Sequence, residues 1–393
     1  MTRAQRIELI VILGALTAFA PMSIDMYLPA LPTLERVFAA DTAAVQRTLS
    51  AFFLGFAGGQ ALYGPLIDRF GRKRPLYVGL AVFVLASAGC ALAPTIAALT
   101  AFRIVQALGA CVGVVCARAM VRDLFQPIDA ARVFSALILV MGVAPILAPL
   151  AGGFVLVHAG WAAIFWTLGA FGLACLAAAW LRLAETHDRA SARPLSAARV
   201  LADYLRLLTS RLYMGYALTG GLGLAGMFAY IAGAPFLFIE LNGVAPEHFG
   251  WIFGTNALGF VVAAQINARV VGRWGLHATA RAAVVVEAAA MLVLLAVTLA
   301  DVGGLAALWA PIFVAIATLG FLLPNTTALA MAPFGDMAGV AAALLGTLQF
   351  AFAAVTSMAI GLVHDGTAVP LAATMAACAA AGLAANLLLT RRV

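Results

Sequence analysis

Two charged side chains stand where charge is expensive. Asp25 lies in "SIDMYLPALP" (Ser23 to Pro32) and Arg103 opens "RIVQALGA", each inside an otherwise apolar stretch. Holding such a group at the centre of a bilayer costs about 3 kcal/mol or more, so it normally faces a cavity or a partner. A carboxylate between an apolar wall and a guanidinium can take a proton from one side of a barrier and release it on the other. Plainer roles stand beside these: Asp25 as a helix-end acid reaching for the outer face, and Arg103 as a donor to backbone carbonyls. Glu287, a third intramembrane charge, is expected to pair with Arg281 or a neighbour. A separate cluster, "GPLIDRFGRKR" (Gly64 to Arg74), places Asp68, Arg69, Arg72, Lys73 and Arg74 between two long apolar runs.

The elements that must position these residues follow from composition. The chain is 65% hydrophobic and 10% charged, with a mean hydropathy of +1.06. A soluble domain would need far more charge to cover its surface. Residues 75–102, 212–239, 302–335, 337–364 and 366–390 carry no Asp, Glu, Lys or Arg, and each run exceeds the roughly 20 residues that span a bilayer. Backbone groups in lipid must bond internally, which makes the runs helices; the alternation of a membrane barrel is absent. Twelve spans are predicted, near 8–31, 46–66, 75–93, 96–118, 133–156, 161–181, 212–239, 249–268, 282–300, 305–330, 338–363 and 370–390. The first is too long for a cleaved leader and is expected to remain in the chain.

The bases set the orientation. With the N-terminus inside, 20 of the 23 Lys and Arg residues fall on inner loops and tails, Arg36 and Arg47 fall outside, and Arg103 is intramembrane. This skew predicts both termini on the cytoplasmic side. It also accounts for the net charge of +7 without a nucleic-acid partner. The polar stretch 184–211 divides the spans six and six, giving an N-terminal unit over 1–183 and a C-terminal unit over 212–393. Within it, Val200, Leu201, Tyr204, Leu205 and Leu208 recur at helical spacing, as in a short helix on the inner membrane surface. The halves echo one another: "GRWG" (Gly272 to Gly275) follows the second span of its half as "DRFG" (Asp68 to Gly71) follows that of the first. Repeated halves with a site between them are a transporter design.

Other chemistry is disfavoured. The five cysteines all fall in predicted spans without a CxxC pair and read as small packing residues. The histidines sit at membrane faces or loops with no HExxH, so no metal site is expected. "GLGLAG" (Gly221 to Gly226) matches a dinucleotide fingerprint but lies inside an apolar run with no strand before it. There is no GxxxxGK[ST] for ATP. A membrane enzyme or sensor would need a nucleophile, metal cluster or soluble output domain, and none is visible.

"GPLIDRFGRKRPL" resembles the loop 2–3 motif of the major facilitator superfamily. "RIVQALGA" in span 4 resembles that superfamily's span 4 motif, and "APILAPLAGG" (Ala144 to Gly153) the span 5 Pro/Gly motif of its proton-coupled exporters. "SIDMYLPALP", "FAYIAGAPFLFIELNGVAPEHFGWIFGTN" and "LLGTLQF" resemble the bicyclomycin-resistance (Bcr/CflA) drug:proton antiporters. Two departures stand out: Ala144 and Ala148 occupy positions more usually glycine, and Gly272 stands opposite Asp68 in the second loop copy.

The resemblance implies an all-α integral membrane protein, with twelve transmembrane helices in two pseudo-two-fold six-helix bundles. It implies a monomer in the bacterial inner membrane, without a cofactor and driven by the proton gradient. Asp25 and Arg103 would bind proton and substrate. Tyr27, Phe52, Tyr230, Asn256 and Gln349 are cavity candidates by depth and chemistry. Gly64, Asp68, Gly71 and Arg72 would form a cytoplasmic latch across the interface between the halves, Gly64 letting helices approach and Gly71 permitting the turn. Pro145, Pro149, Gly152 and Gly153 would bend span 5, let it pack tightly and seal it against ion leak. The expected activity is proton-coupled export of small hydrophobic or amphipathic drugs. The alternative on the same fold is an exporter or symporter of a natural metabolite.

Overall fold

A computed structural model describes residues 3–125, 127–186 and 197–390. The helices are α1 (Arg3–Thr17), α2 (Phe19–Asp25), α3 (Leu31–Phe38), α4 (Thr42–Phe70), α5 (Lys73–Ala91), α6 (Ile96–Leu124), α7 (Pro127–Ala159), α8 (Trp161–Arg182), α9 (Ala197–Thr209), α10 (Arg211–Pro235), α11 (Pro246–Trp274), α12 (Leu276–Ala300), α13 (Gly304–Met331), α14 (Ala338–Leu362) and α15 (Val369–Leu389). Among the described residues ten helices are long and apolar enough to cross a membrane, and the bent α1–α3 assembly makes an eleventh. The remaining predicted span, α4, has ample length at 29 residues. It falls short in apolarity because its polar side chains Gln46, Thr48, Ser50 and Gln60 are buried against protein, where it packs between α6 and α14.

The first span is broken by its prolines. A helical proline cannot donate to the carbonyl four residues earlier. Pro21, Pro29 and Pro32 therefore release the carbonyls of Thr17, Asp25 and Leu28. The breaks fall there: α1 ends at Thr17, α2 ends at Asp25, and a 3-10 turn over Leu28–Ala30 leads into α3. The two parts of the span are bent by 41°. The seventh span is also irregular at the matching end, where α10 runs through Pro235 into a π-helical turn over Phe236–Leu241.

The predicted repeat is visible in the packing. In the first half α4 packs on α6, α6 on α5, and α5 on α8; in the second α11 packs on α13, α13 on α12, and α12 on α15. The two loop copies share a conformation. Gly71 has φ +85° and Gly275 φ +78°, a region where glycine alone is unstrained. The halves meet along two symmetric seams, α4 with α14 and α7 with α11. At the predicted outer end these seams are tight: a Cβ at Gly153 would lie 2.7 Å from the Pro246 carbonyl oxygen, and one at Gly361 would lie 3.0 Å from the Ala43 Cα. Deeper in, Phe53 and Phe56 of α4 meet Phe350 of α14 at ring separations of 6.4 and 4.4 Å.

The helix expected on the membrane surface is α9. Leu201, Leu205 and Leu208 remain exposed, while Leu207 is buried and Tyr204 packs beside it. Residues 187–196 of the linker lie outside the described residues. At the opposite face, "HDGT" builds the start of α15. The Asp365 carboxylate accepts from the Thr367 hydroxyl (2.7 Å) and amide (2.9 Å), which hold its carboxyl below the usual range, and the Thr367 hydroxyl accepts from the Val369 amide at 3.2 Å.

Candidate functional site

Asp25 is the last residue of α2, at the break in the first span, and is 4% exposed. Its carboxylate makes no hydrogen bond or ion pair with any described residue. The following 3-10 turn touches α10 and α11 of the other half, and Tyr230 of α10 lies within Coulombic range of Asp25. The carboxylate therefore sits at the seam between halves, on the segment of span 1 with the least regular backbone. Span 5 closes in from the side: Gly152 lies so near the Met26 carbonyl that no Cβ fits there.

Arg103 is fully buried, about two turns into α6. One Nη donates to the Ser23 carbonyl at 3.0 Å and to the Gln106 Oε1 at 2.7 Å. Gln106 in turn donates to the Ser87 hydroxyl of α5 at 2.8 Å. The guanidinium carbon lies 4.6 Å from the Tyr27 ring centroid, 4.3 Å from that of Phe52 and 5.9 Å from that of Phe165. Rings at such distances stabilise a desolvated cation through their quadrupoles. No hydrogen bond or ion pair joins Asp25 to Arg103. Arg103 instead holds the backbone two residues before Asp25, the carbonyl-binding role weighed for it. Its Nε and second Nη are buried without partners.

The other candidates divide. Tyr27 and Phe52 are walls of the Arg103 box, and the Tyr27 hydroxyl is 2.6 Å from that of Thr48. Asn256 donates to the Tyr230 hydroxyl at 2.9 Å, and Tyr230 stacks on Phe253 with centroids 5.5 Å apart. Gln349 is half-buried, one residue before Phe350 on the α4–α14 seam. In α7, Pro149 is buried and Pro145 half-buried; the close approaches belong to Gly152 and Gly153.

The loop 2–3 cluster is a knot within the N-terminal half. Arg72 donates from Nε to Asp123 at 2.9 Å and from Nη1 to the Ile67 carbonyl at 2.8 Å. The amides of Arg72 and Lys73 donate to the two Glu185 oxygens at 2.9 and 3.1 Å. These two partners of Arg72 belong to its own half, Asp123 at the end of α6 and Glu185 just after α8. Among the described residues a Cβ at Gly64 meets nothing within 4 Å. Gly71 turns the chain between α4 and α5 at φ +85°. The Asp68 side chain lies outside the described residues. The pairing expected for Glu287 is likewise not made. Arg281 donates to Asn386 at 3.4 Å, and Glu287 Oε2 is buried without a partner.

Two six-helix halves joined along paired seams, with a broken span carrying an acid at the junction, define a helical membrane transporter. The chain belongs to the Major Facilitator Superfamily, whose profile matches residues 13–358. It is 37% identical to the uncharacterised MFS-type transporter YdgK of Bacillus subtilis, covering 99% of this chain and 97% of that one. It is 30% identical to the bicyclomycin resistance protein homolog of Haemophilus influenzae, covering 98% and 96%. Its fold is similar to that of a D-xylose–proton symporter, with a TM-score of 0.78 at 15% identity over 100% of this chain and 98% of the other.

Proposed function

We propose that this protein exports small hydrophobic or amphipathic compounds in exchange for protons, by alternating access between its two halves. One observation carries the reading: Asp25 is a buried, unpartnered carboxylate on a broken span, at the seam where the halves must part. An acid so placed can exchange its proton with whichever side the seam opens to, and discontinuous helices are where transporters of repeated halves place their sites. Arg103 keeps the break in shape through the Ser23 carbonyl. Phe53, Phe56, Phe228 and Phe350, contributed by both halves, pack on one another along the seam and would offer apolar cargo an aromatic wall where it parts. The similarity to a bicyclomycin resistance protein homolog supports the drug class.

The test is expression in a bacterial host stripped of its own efflux pumps, challenged with bicyclomycin and a panel of amphipathic antibiotics. The wild type raises resistance; Asp25→Asn, at equal expression, loses it. In proteoliposomes, extrusion follows an imposed ΔpH and collapses with a protonophore. Full resistance from Asp25→Asn, or extrusion indifferent to ΔpH, overturns the reading.

A further inference from the structure

We propose that Glu287 is a second proton-binding site, sealed inside the C-terminal half where α12 crosses a glycine gap in α10. Glu287 is near the midpoint of the 25-residue α12, about 16 Å from one end and about 20 Å from the other at 1.5 Å per residue. It is 3% exposed. Its carboxylate rests against α10 at Gly223, where a Cβ would lie 2.8 Å from Oε2 and 3.1 Å from Oε1. The absent side chain in "GLGLAG" is therefore what makes room for the acid.

No cation balances it among the described residues. On its own helix Arg281 is turned to Asn386, and His277 is 2.6 Å from the Tyr216 hydroxyl of α10. On α13 the group facing the gap is Leu322, and on α15 the titratable group within Coulombic range is Cys378. Water, a metal ion or an organic cation would need several oxygen partners and space. The atoms nearest the gap are the Glu287 oxygens and the Leu322 side chain, and Oε2 has no hydrogen-bond partner. A proton is the ligand that fits. The polar groups Asn386, Arg281, Tyr216 and His277 continue from this level toward the predicted inner end of α12, the side from which the proton is exchanged.

The position matters because α10 is shared. Gly223 packs on Glu287, and seven residues on, about 10 Å along the same helix, Tyr230 lies within Coulombic range of Asp25. A change of charge at Glu287 alters how closely α10 packs in its own half, and so how it presents Tyr230 to the other. The site itself is independent of the export reading; only its use in transport rests on it.

Infrared difference spectroscopy of the purified protein in lipid, titrated through pH, reads the site without a substrate. The wild type is expected to show a protonated-carboxyl band that vanishes reversibly on alkalinisation. Glu287→Gln lacks that band, and Asp25→Asn keeps it. Gly223→Ala, which retains every carboxyl, shifts the band and its titration midpoint, and decides the matter should Glu287→Gln fail to fold. A band unchanged in Glu287→Gln overturns the proposal, as does one that never titrates while the protein stays folded, or one that Gly223→Ala leaves in place. Loss of transport in Asp25→Asn has no bearing on these spectra, so the two readings fail separately.

Discussion

At the scale of single residues, Asp25 and Arg103 were legible as the two charges that apolar surroundings must justify, but their relation was not. Depth along two helices placed them at one level; which way each side chain turns depends on proline breaks and neighbouring rings. Arg103 turns into Tyr27, Phe52 and Phe165 and onto the Ser23 carbonyl. Asp25 lies within Coulombic range of Tyr230 in the other half. The roles separate experimentally. Arg103→Ala leaves the Ser23 carbonyl and Gln106 Oε1 without their donor, a loss of about 1–3 kcal/mol for each buried group. Its melting temperature in detergent should fall by several degrees along with transport. Asp25→Asn removes no bond and should lose transport at an unchanged melting temperature. Arg103→Lys restores charge but neither the planar fork nor the ring stacking, so only part of the stability returns. A stable, inactive Arg103→Ala would place Arg103 in direct exchange with cargo instead.

At the scale of elements, the spans were legible because hydropathy and basic loops report directly on lipid and orientation. The partners of "DRFGRKR" were not. Asp123 and Glu185 come from "VRDLF" and "LAETH", far apart in sequence and unremarkable as charges at helix ends; only the packing of α5 against α6 and α8 brings them to Arg72. The span 5 glycines were recognisable as close-packing positions, but what they approach is a matter of shape. Gly152 meets the Met26 carbonyl at the break beside Asp25, and among the described residues a Cβ at Gly64 meets nothing within 4 Å. Gly152→Ala should therefore push α7 off the break and lower the transport rate by about tenfold or more, as about 1.4 kcal/mol on a barrier would do. Gly64→Ala should pump like the wild type in the conformation seen here, and a stronger defect there than at Gly152 would mean that the inner-end packing governs the cycle. Initial rates of fluorescent-substrate efflux at matched expression distinguish the two.

At the scale of the whole molecule, the repeat of "DRFG" and "GRWG" announced two related halves, and the matching φ values of Gly71 and Gly275 realise it. The seams between halves left no such trace, because they are made of small and aromatic residues indistinguishable in sequence from lipid-facing or core positions. Alternating access requires these seams to open at one end while closing at the other. At the predicted outer end, α4 and α14 approach so closely that Ala43→Cys with Gly361→Cys falls within the roughly 3.5–4.5 Å Cβ separation of a disulfide. The five native cysteines are all buried, so an oxidant reaches the new pair first. Oxidation should lock the outer end shut and abolish efflux, reduction should restore it, and either single variant should be indifferent to oxidant. Undiminished efflux through the cross-linked protein would mean that this seam never parts, and that cargo and protons reach Asp25 by another way.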